Sequence, residues 1–279
     1  MKSYSIYPFK MKPSHFTTSK IAIYEQGVGY PVLVLPGGPG LSSKIYRDCL
    51  APLSKHLVFF DYRGTGASHD PKAYGVEKDY SDTLEVIEAA KLKHFAIIAH
   101  SYGGLHALRL ALTFPDRINK LLLVAAFAGP SVFVGLGKRI APVLGKDKTT
   151  RLKECEKQFK KRTNPSAARI VEYINLISLF HFKEPTTEKT QALCKPGVYN
   201  AAIEFANSDW MNIDLRSQLS QIKAETLIVC GQHDRMVPPE TGEEFLAIPN
   251  AKMLTITNSG HWPFWEQPDQ FLSVAENFL

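Results

Sequence analysis

Short apolar runs bounded by turn residues alternate with amphipathic stretches over most of the chain. Runs of this kind are typical of buried strands, and we place strands at 16–24, 31–35, 56–61, 95–99 and 120–126. Leucine and isoleucine at helical spacing predict a helix at 82–92, with Ser81 or Asp82 as its N-cap. A second helix is predicted at 103–114, and Pro115 ends it.

The alternation breaks at 131–210, which is charged, favours helix and contains no strong strand pattern. Strands are predicted again at 227–231 and 253–257. Strands that alternate with helices form mostly parallel sheets, so we predict an α/β fold with helices on both faces of the sheet. We assign 1–130 and 211–279 to its core. We expect the middle segment to be a helical cap over the carboxyl ends of the strands, where open α/β sheets bind ligands.

Composition and charge agree with a globular α/β protein. Hydrophobic residues make up 44% of the 279 residues, which is enough for a sizeable core. Lys and Arg number fourteen in 131–210 against eight Asp and Glu, so the whole net charge of +6 lies in the predicted cap. This excess fits either a solvated helical face or a surface that attracts anionic substrates or lipid headgroups. No basic helix carries interleaved aromatic residues, so no nucleic-acid partner is expected.

The cysteines and the terminal segment predict a cytoplasmic protein. The four cysteines are far apart in sequence, which speaks against a disulfide framework or a metal site, and they are Cys49, Cys155, Cys194 and Cys230. No apolar run is long enough to span a bilayer, so no stable membrane insertion is expected. The first residues contain no continuous apolar segment of the kind found in signal peptides. The oligomeric state is not indicated.

Ser101 is the candidate nucleophile. It lies in the stretch "IIAHSYGG", where a predicted strand meets a predicted helix. A serine on such a sharp turn needs small residues two positions before and after it, because the strand and helix backbones nearly touch there. Ala99 and Gly103 meet this need, although the earlier position is usually glycine. Taken alone, the stretch fits an ordinary strand-to-helix turn equally well.

Asp234 and His261 supply the partners that a serine nucleophile needs. Each follows a predicted strand, so both fall at the sheet edge that carries Ser101. A histidine removes the serine proton and a carboxylate orients that histidine, and the order Ser, Asp, His is that of α/β-hydrolases. Asp209 and Asp214 are the alternative acids.

The glycine-rich stretch "PGGPG" at 36–40 fits an oxyanion-binding loop after a strand. We expect the backbone N–H groups of Gly38 and Tyr102 to stabilise the developing oxyanion. Without a catalytic serine nearby, the same stretch fits a plain turn. The sequence contains no zinc-binding or phosphate-binding motif, so no metal and no nucleotide cofactor is expected.

Taken together, five motifs resemble the α/β-hydrolase superfamily over nearly the whole chain. They are "LPGGPG", "FFDYRGTGAS", "AHSYGG", "VCGQHDRMVP" and "NSGHWPFWEQP". The resemblance implies an eight-stranded, mostly parallel sheet with strand 2 antiparallel and a cap inserted after strand 6. The motifs "GGPG", "DYRGTGAS" and "SYGG" look like the proline iminopeptidase branch, which removes N-terminal proline from peptides. Pro36 and Tyr62 stand where that branch usually has histidine and glutamine.

The most specific function that the resemblance implies is proline iminopeptidase, a serine hydrolase acting on a short peptide or other small acyl substrate. Such an enzyme needs a carboxylate for the substrate ammonium, and Glu204 is the first candidate, with Asp209 second. The positive excess of the cap disfavours a cationic substrate. A carboxylesterase or a C–C bond hydrolase is the alternative, since "SGHWPFWEQP" is equally similar to those enzymes and Ala99 resembles small bacterial esterases. A non-catalytic ligand receptor or regulatory partner on the same fold is the alternative from another class.

Several aromatic residues fit the lining of an apolar substrate pocket. We single out Phe127, Phe180 and Trp262 as substrate contacts. Packing in the protein core explains the same residues equally well.

Overall fold

Eight strands form one sheet in the computed structural model, which describes residues 12–39, 41–70, 73–160, 167–193 and 209–279. They are β1 (His15–Phe16), β2 (Ala22–Gln26), β3 (Pro31–Leu35), β4 (His56–Phe60), β5 (Phe95–His100), β6 (Ile118–Val124), β7 (Glu225–Gly231) and β8 (Lys252–Ile256). Their order is β1-β2-β4-β3-β5-β6-β7-β8, and β2 pairs antiparallel with both of its neighbours. The other pairs are parallel, so the predicted sheet is confirmed.

The α-helices of the described residues are α1 (Lys44–Leu50), α2 (Val76–Ala89), α3 (Gly103–Thr113), α4 (Leu136–Lys160), α5 (Ala167–His181), α6 (Thr187–Leu193), α7 (Pro263–Glu266) and α8 (Pro268–Phe278). Short 3₁₀ helices lie at Pro130–Phe133, Asp209–Asn212, Arg216–Gln221 and Pro239–Ala247. None of the described helices is both long and apolar enough to cross a membrane.

Alternation of side chains along the strands produces two hydrophobic cores, one on each face of the sheet. In β5, Ile97 and Ala99 belong to the core that α2 and α3 cover. Ala96 and Ile98 point to the opposite core, which α1 and α8 cover. Burial on both faces explains why the strands read as continuous apolar runs rather than as alternating patterns.

The strand predicted at 16–24 is interrupted by a turn, which corrects that prediction. Lys20 has φ of +60°, and the Thr17 hydroxyl accepts a hydrogen bond from the Ile21 N–H over 3.1 Å. The Thr17 N–H still donates to the carbonyl oxygen of Ile21 over 3.0 Å, but the carbonyl oxygen of Thr17 accepts from the Lys20 N–H, so the hydroxyl takes the Ile21 N–H in its place.

The helix predicted at 82–92 begins earlier, at Val76, with Gly75 as its N-cap. Ser81 and Asp82 are therefore not caps but interior positions of α2. Asp82 is buried and pairs with Arg63 at 2.5 Å, so its carboxylate stabilises a contact between the 61–68 loop and this helix.

The segment predicted as a cap contains α4, α5 and α6 and, in its described residues, no strand. Gly145 has φ of +70° inside α4 and kinks the helix. The apolar faces of α4 and α5 pack together in a small cluster of Ile140, Leu144, Leu152, Leu176 and Phe180. This cluster is separate from the two cores that flank the sheet.

Candidate active site

Ser101 lies on a sharp turn between β5 and α3. Its φ is +50°, a conformation that residues other than glycine rarely adopt and that is concentrated at functional sites. The Ser101 N–H donates to the carbonyl oxygen of Val124 over 3.0 Å, which ties the turn to the end of β6. The residue is 8% exposed. The local geometry is that of the expected strand-to-helix turn.

The close approach of strand and helix falls on Gly103. A Cβ at this position would lie 2.5 Å from the carbonyl oxygen of Leu35 and 2.7 Å from that of Pro36. Ala99 is fully buried in β5 and its methyl group is accommodated in the core. The position two residues after the serine is therefore the one with no room for a side chain.

His261 and Asp234 form a buried pair. Asp234 follows β7 and His261 follows β8, and His261 Nδ1 lies 2.7 Å from Asp234 Oδ2. The other carboxylate oxygen accepts the backbone N–H groups of Met236 and Val237 over 2.8 and 2.9 Å. A carboxylate accepts only, so Nδ1 carries the hydrogen and Nε2 is the accepting nitrogen of the neutral ring. The alternative acid Asp214 instead pairs with Arg216 at 2.6 Å.

The glycine-rich loop after β3 lies beside the serine. A Cβ on Gly37 would lie 3.2 Å from Ser101 Cβ, so this backbone contacts the candidate nucleophile directly. Within the described part of the chain, the N–H groups of Gly38 and Tyr102 have no acceptor. Tyr102 itself is anchored by its hydroxyl, which donates to Asp79 Oδ2 over 2.8 Å.

The predicted cap is hydrogen-bonded to the loop of His261. The His261 N–H donates to the carbonyl oxygen of His181, the last residue of α5, over 2.6 Å. The two imidazole ring centroids are 4.9 Å apart. Neither ring nitrogen of His181 has a partner among the described residues, and burial holds the pKa of His181 well below its usual value.

Glu266 strengthens this junction between the end of α5 and the loop of His261. Its carboxylate accepts the backbone N–H of Gly260 over 2.7 Å and that of Lys183 over 2.8 Å. It therefore joins Gly260, the residue before His261, to Lys183, which lies two residues after the end of α5. Burial raises the pKa of Glu266, although these amide hydrogen bonds oppose the shift.

Arg139 connects the predicted cap to the loop of Asp234. Its Nε donates to the carbonyl oxygen of Arg235 over 3.1 Å, one residue after Asp234. The same guanidinium also donates to the carbonyl oxygens of Val132 and Val134. Residues of α4 and α5 thus contact the loops of both Asp234 and His261.

Residues 30–268 match the alpha/beta hydrolase fold family. The match covers well over half of the chain and includes Ser101, Asp234 and His261. The chain belongs to the α/β-hydrolase fold family. The resemblance drawn from the five motifs is therefore confirmed.

The relatives of this α/β-hydrolase have several different activities. It is 26% identical to a proline iminopeptidase of Heyndrickxia coagulans over 91% of this chain and 92% of that one. It is 25% identical to a 2-hydroxy-6-oxononadienedioate/2-hydroxy-6-oxononatrienedioate hydrolase of Paraburkholderia phymatum over 94% and 92% of the two chains. Among solved structures, an esterase from Exiguobacterium antarcticum is similar in fold, with a TM-score of 0.72 at 23% identity over 96% and 99% of the two chains. Hydrolysis is common to these relatives, and the predicted hydrolase is confirmed at that level.

The aromatic residues singled out as substrate contacts are all buried in the α/β-hydrolase. Phe127, Phe180 and Trp262 are 3%, 2% and 1% exposed. Phe127 packs against Phe133 at a ring-centroid distance of 5.2 Å, and Trp262 packs against His100 at 4.5 Å. This packing agrees with the alternative that they belong to the core, and their contact with substrate stays a prediction. Glu204 lies outside the described residues.

The motif "DYRGTGAS" has a bracing role in this hydrolase. Asp61 accepts hydrogen bonds from Ser43, Tyr24 and Ala67, and it is fully buried. These bonds tie the start of α1 to the loop after β4. No three His, Cys, Asp or Glu side chains among the described residues lie close enough to share a metal ion.

The site residues predicted from the sequence do not include three residues that lie around the site, namely Tyr46, His181 and Glu266. Glu266 lies within the "NSGHWPFWEQP" motif, so the sequence predicts its position next to the histidine loop. It does not predict the contact of Glu266 with Lys183. His181 lies in an apolar helix and reads there as a core residue. Tyr46 lies in the short helix α1 without any motif.

Proposed function

We propose that this α/β-hydrolase is a serine hydrolase that cleaves a small ester or amide through Ser101, His261 and Asp234. The observation that carries the proposal is the 2.7 Å contact between His261 Nδ1 and Asp234 Oδ2 at the sheet edge where Ser101 occupies its strained turn. The contact orients the imidazole with Nε2 as the proton acceptor, which is what a serine hydroxyl requires.

The reaction proceeds through an acyl-enzyme. Ser101 Oγ attacks the substrate carbonyl carbon while His261 Nε2 takes the hydroxyl proton. The carbonyl oxygen becomes an oxyanion that accepts hydrogen bonds from the N–H groups of Gly38 and Tyr102, each supplying about 3 kcal/mol of barrier reduction. The intermediate collapses, and His261 gives the proton to the departing alcohol or amine. Water then attacks the acyl-serine with His261 again as base, which releases the acid and restores Ser101.

Within this class, we propose an N-terminal proline peptide as the first candidate substrate. Support comes from the motifs "GGPG", "DYRGTGAS" and "SYGG" and from the proline iminopeptidase relatives at 26% and 27% identity. The substrate ammonium needs a carboxylate, and Glu204 is the residue we assign to it, with Asp209 second.

A carboxylesterase or C–C bond hydrolase is the second candidate. The positive excess of residues 131–210 favours a neutral or anionic substrate over a cationic one. The relatives at 25% and 24% identity that hydrolyse 2-hydroxy-6-oxo dienoates and the alanine at position 99 support the same alternative.

Labelling with a fluorophosphonate probe tests the shared mechanism. We expect the wild-type protein to be labelled and Ser101→Ala to remain unlabelled. A folded wild-type protein that does not react would contradict the proposal and favour a non-catalytic ligand receptor. Asp214→Asn serves as the control, because Asp214 pairs with Arg216 at the surface, and its labelling should equal that of the wild type.

A substrate comparison separates the candidates. Turnover of proline 2-naphthylamide is measured beside that of p-nitrophenyl acetate and p-nitrophenyl palmitate. Iminopeptidase activity predicts fast cleavage of the first and a loss of about a hundredfold in Glu204→Gln, because the ammonium then lacks its counter-charge. Cleavage of the esters alone would overturn the iminopeptidase assignment and leave the esterase.

A further inference from the structure

A buried chain of hydrogen bonds joins the loop of Gly38 to the loop of His261. The N–H of Gly37 donates to Tyr46 Oη over 2.7 Å. Tyr46 Oη lies 2.8 Å from His100 Nδ1, and His100 Nε2 lies 2.8 Å from the carbonyl oxygen of His261. Tyr46 and His100 are 0% and 1% exposed, so water does not compete for these contacts.

The chemistry of the groups fixes the direction of every bond. A carbonyl oxygen only accepts, so His100 Nε2 carries a hydrogen and donates it to His261. Burial, and next the neighbouring His261, hold the pKa of His100 well below its usual value, so the ring is neutral and its Nδ1 accepts. The Tyr46 hydroxyl therefore donates to His100 and accepts from Gly37.

The same residues pack against the candidate nucleophile. His100 immediately precedes Ser101, and Gly37 immediately precedes Gly38. A Cβ on Gly37 would lie 2.6 Å from His100 Nδ1, 3.1 Å from Tyr46 Oη and 3.2 Å from Ser101 Cβ. The backbone of the oxyanion loop is thus in contact with both the serine and the two hydrogen-bonded side chains.

We propose that Tyr46 and His100 are positioning residues that hold the Gly38 N–H and the His261 ring in place around Ser101. The proposal rests on the serine hydrolase function assigned above. Neither residue touches the reacting atoms. Each acts through backbone groups, Tyr46 through Gly37 and His100 through the carbonyl of His261. An oxyanion donor works only when it is held in place before the reaction, so loss of this support weakens binding of the transition state more than binding of the substrate.

The first test removes one hydroxyl. Tyr46→Phe breaks two hydrogen bonds at once, and we expect kcat for p-nitrophenyl acetate to fall about tenfold while KM changes less than about twofold. The inhibition constant of phenylboronic acid, which forms a tetrahedral adduct with a catalytic serine, should rise by the same factor of about ten.

The matched control is Tyr62→Phe. Tyr62 is also buried, at 1% exposure, but its hydroxyl has no hydrogen-bond partner among the described residues. Removing it should leave kcat and the inhibition constant at their wild-type values.

Two substitutions of His100 separate the contributions of the two ends of this chain of hydrogen bonds. His100→Gln places its amide at the position of Nε2, so it keeps a donor for the His261 carbonyl and loses the acceptor for Tyr46. The shorter His100→Asn places its amide at the position of Nδ1, so it keeps the acceptor for Tyr46 and loses the donor for His261. His100→Gln breaks one of the two contacts that Tyr46→Phe breaks, so the double variant should lose no more activity than Tyr46→Phe alone. His100→Asn combined with Tyr46→Phe should lose more than either.

The outcome that overturns the proposal is a Tyr46→Phe protein with a lower melting temperature but unchanged kcat and inhibition constant, which is the signature of a merely structural residue. A nitrogen NMR spectrum of the wild-type protein gives a readout that does not depend on activity. The Nε2–H form of the His100 ring is expected, and the Nδ1–H form would contradict the proposal. A wild-type protein that fails to label with fluorophosphonate contradicts the hydrolase assignment instead, so the two failures are distinguishable.

Discussion

The N–H of His261 donates to the carbonyl oxygen of His181 over 2.6 Å, and the two imidazole rings lie 4.9 Å apart. The first residue belongs to the loop after β8, and the second ends α5 in the segment predicted as a cap. The backbone position of the candidate general base is therefore set partly by this segment and not by the sheet alone. Disturbing the junction should change activity without any change in the catalytic side chains.

Glu266→Gln tests that junction. A glutamine has one acceptor oxygen where the carboxylate has two, so either the Gly260 or the Lys183 amide loses its partner. We expect the free energy of unfolding to fall by about 2 kcal/mol, measured by urea denaturation. Hydrogen exchange at the amide that loses its acceptor should accelerate.

The exposed Glu188 on α6 provides the control for that experiment. Glu188→Gln should leave the free energy of unfolding within about 0.5 kcal/mol of the wild-type value. Equal stability of the Glu266 and Glu188 variants would show that the Glu266 carboxylate does not hold the junction.

Asp234→Asn should lower kcat about 10⁴-fold, the size of effect known for this change in serine proteases. The asparagine oxygen still accepts the amides of Met236 and Val237, but its NH₂ group faces His261 Nδ1. The ring then carries its hydrogen on Nε2 and no longer accepts the serine proton. Steady-state turnover of p-nitrophenyl acetate measures the loss.

Asp214→Asn is the control because this aspartate follows the 131–210 segment and is an alternative candidate for the acid. Its carboxylate pairs with Arg216 at the surface, so kcat should stay within a factor of about two of the wild-type value. A large loss in this variant and none in Asp234→Asn would reverse the assignment of the acid.

Gly103→Ala should destabilise the fold by about 3 kcal/mol through overpacking. The added methyl group would lie 2.5 Å from the carbonyl oxygen of Leu35, and backbone atoms of a central strand do not move aside easily. The midpoint of urea unfolding reports the change.

Gly137 gives the matched comparison, since a Cβ there would meet no atom within 4 Å among the described residues. It lies in α4, where alanine is favoured over glycine. Gly137→Ala should therefore leave the unfolding free energy unchanged or raise it by up to about 1 kcal/mol. If both variants unfold at the same urea concentration, the close approach at Gly103 does not constrain the turn.

The protein should lose stability in mild acid because of three histidines with buried ring nitrogens, His100, His106 and His181. Burial lowers the pKa of His106 to about 3 and holds the pKa values of the other two well below 6.5. The unfolded chain binds protons at these rings below about pH 6.5 and the folded chain does not. The stability they contribute is therefore full above that pH and falls as pH decreases toward the folded-state pKa values.

His106→Leu tests the contribution of one of these histidines, because it removes the proton that His106 takes up on unfolding. Between about pH 6 and pH 4 the slope of unfolding free energy against pH should decrease by about 1.4 kcal/mol per pH unit, because one proton fewer is taken up on unfolding. Urea denaturation at a series of pH values measures the slope. The exposed His94 is the control, and His94→Gln should keep the wild-type slope. An unchanged slope in the His106 variant would show that this ring is protonated in the folded state.

The sequence predicts those parts of the site that depend on local pattern and chain order. Ser101, Asp234 and His261 each follow a recognisable strand, and a parallel sheet brings all such strand ends to one edge. The oxyanion loop is visible for the same reason, since glycines directly follow an apolar strand. The predicted strand at 16–24 fails where a side chain, Thr17, forms a turn that apolar spacing does not reveal.

The contacts that support the catalytic loops join residues that are far apart in the sequence, so no local pattern predicts them. Tyr46 and His100 are 54 positions apart, and Glu266 reaches Lys183 across 83 positions. A tyrosine in an amphipathic helix and a glutamate after two aromatics are compatible with many roles. Only the packing of α1 against β5 and of α5 against the histidine loop selects the role that each side chain has.

Arg139 has a consequence for redesign of substrate preference. Chimeras that exchange the 131–210 segment between related hydrolases would remove the guanidinium that supports the backbone beside Asp234. They would also change the backbone around residue 181, whose carbonyl oxygen accepts the His261 N–H. A graft that keeps an arginine at 139 and the host residues 181–183 should retain turnover of simple esters. A graft that replaces residue 139 and residues 181–183 as well would need compensating substitutions.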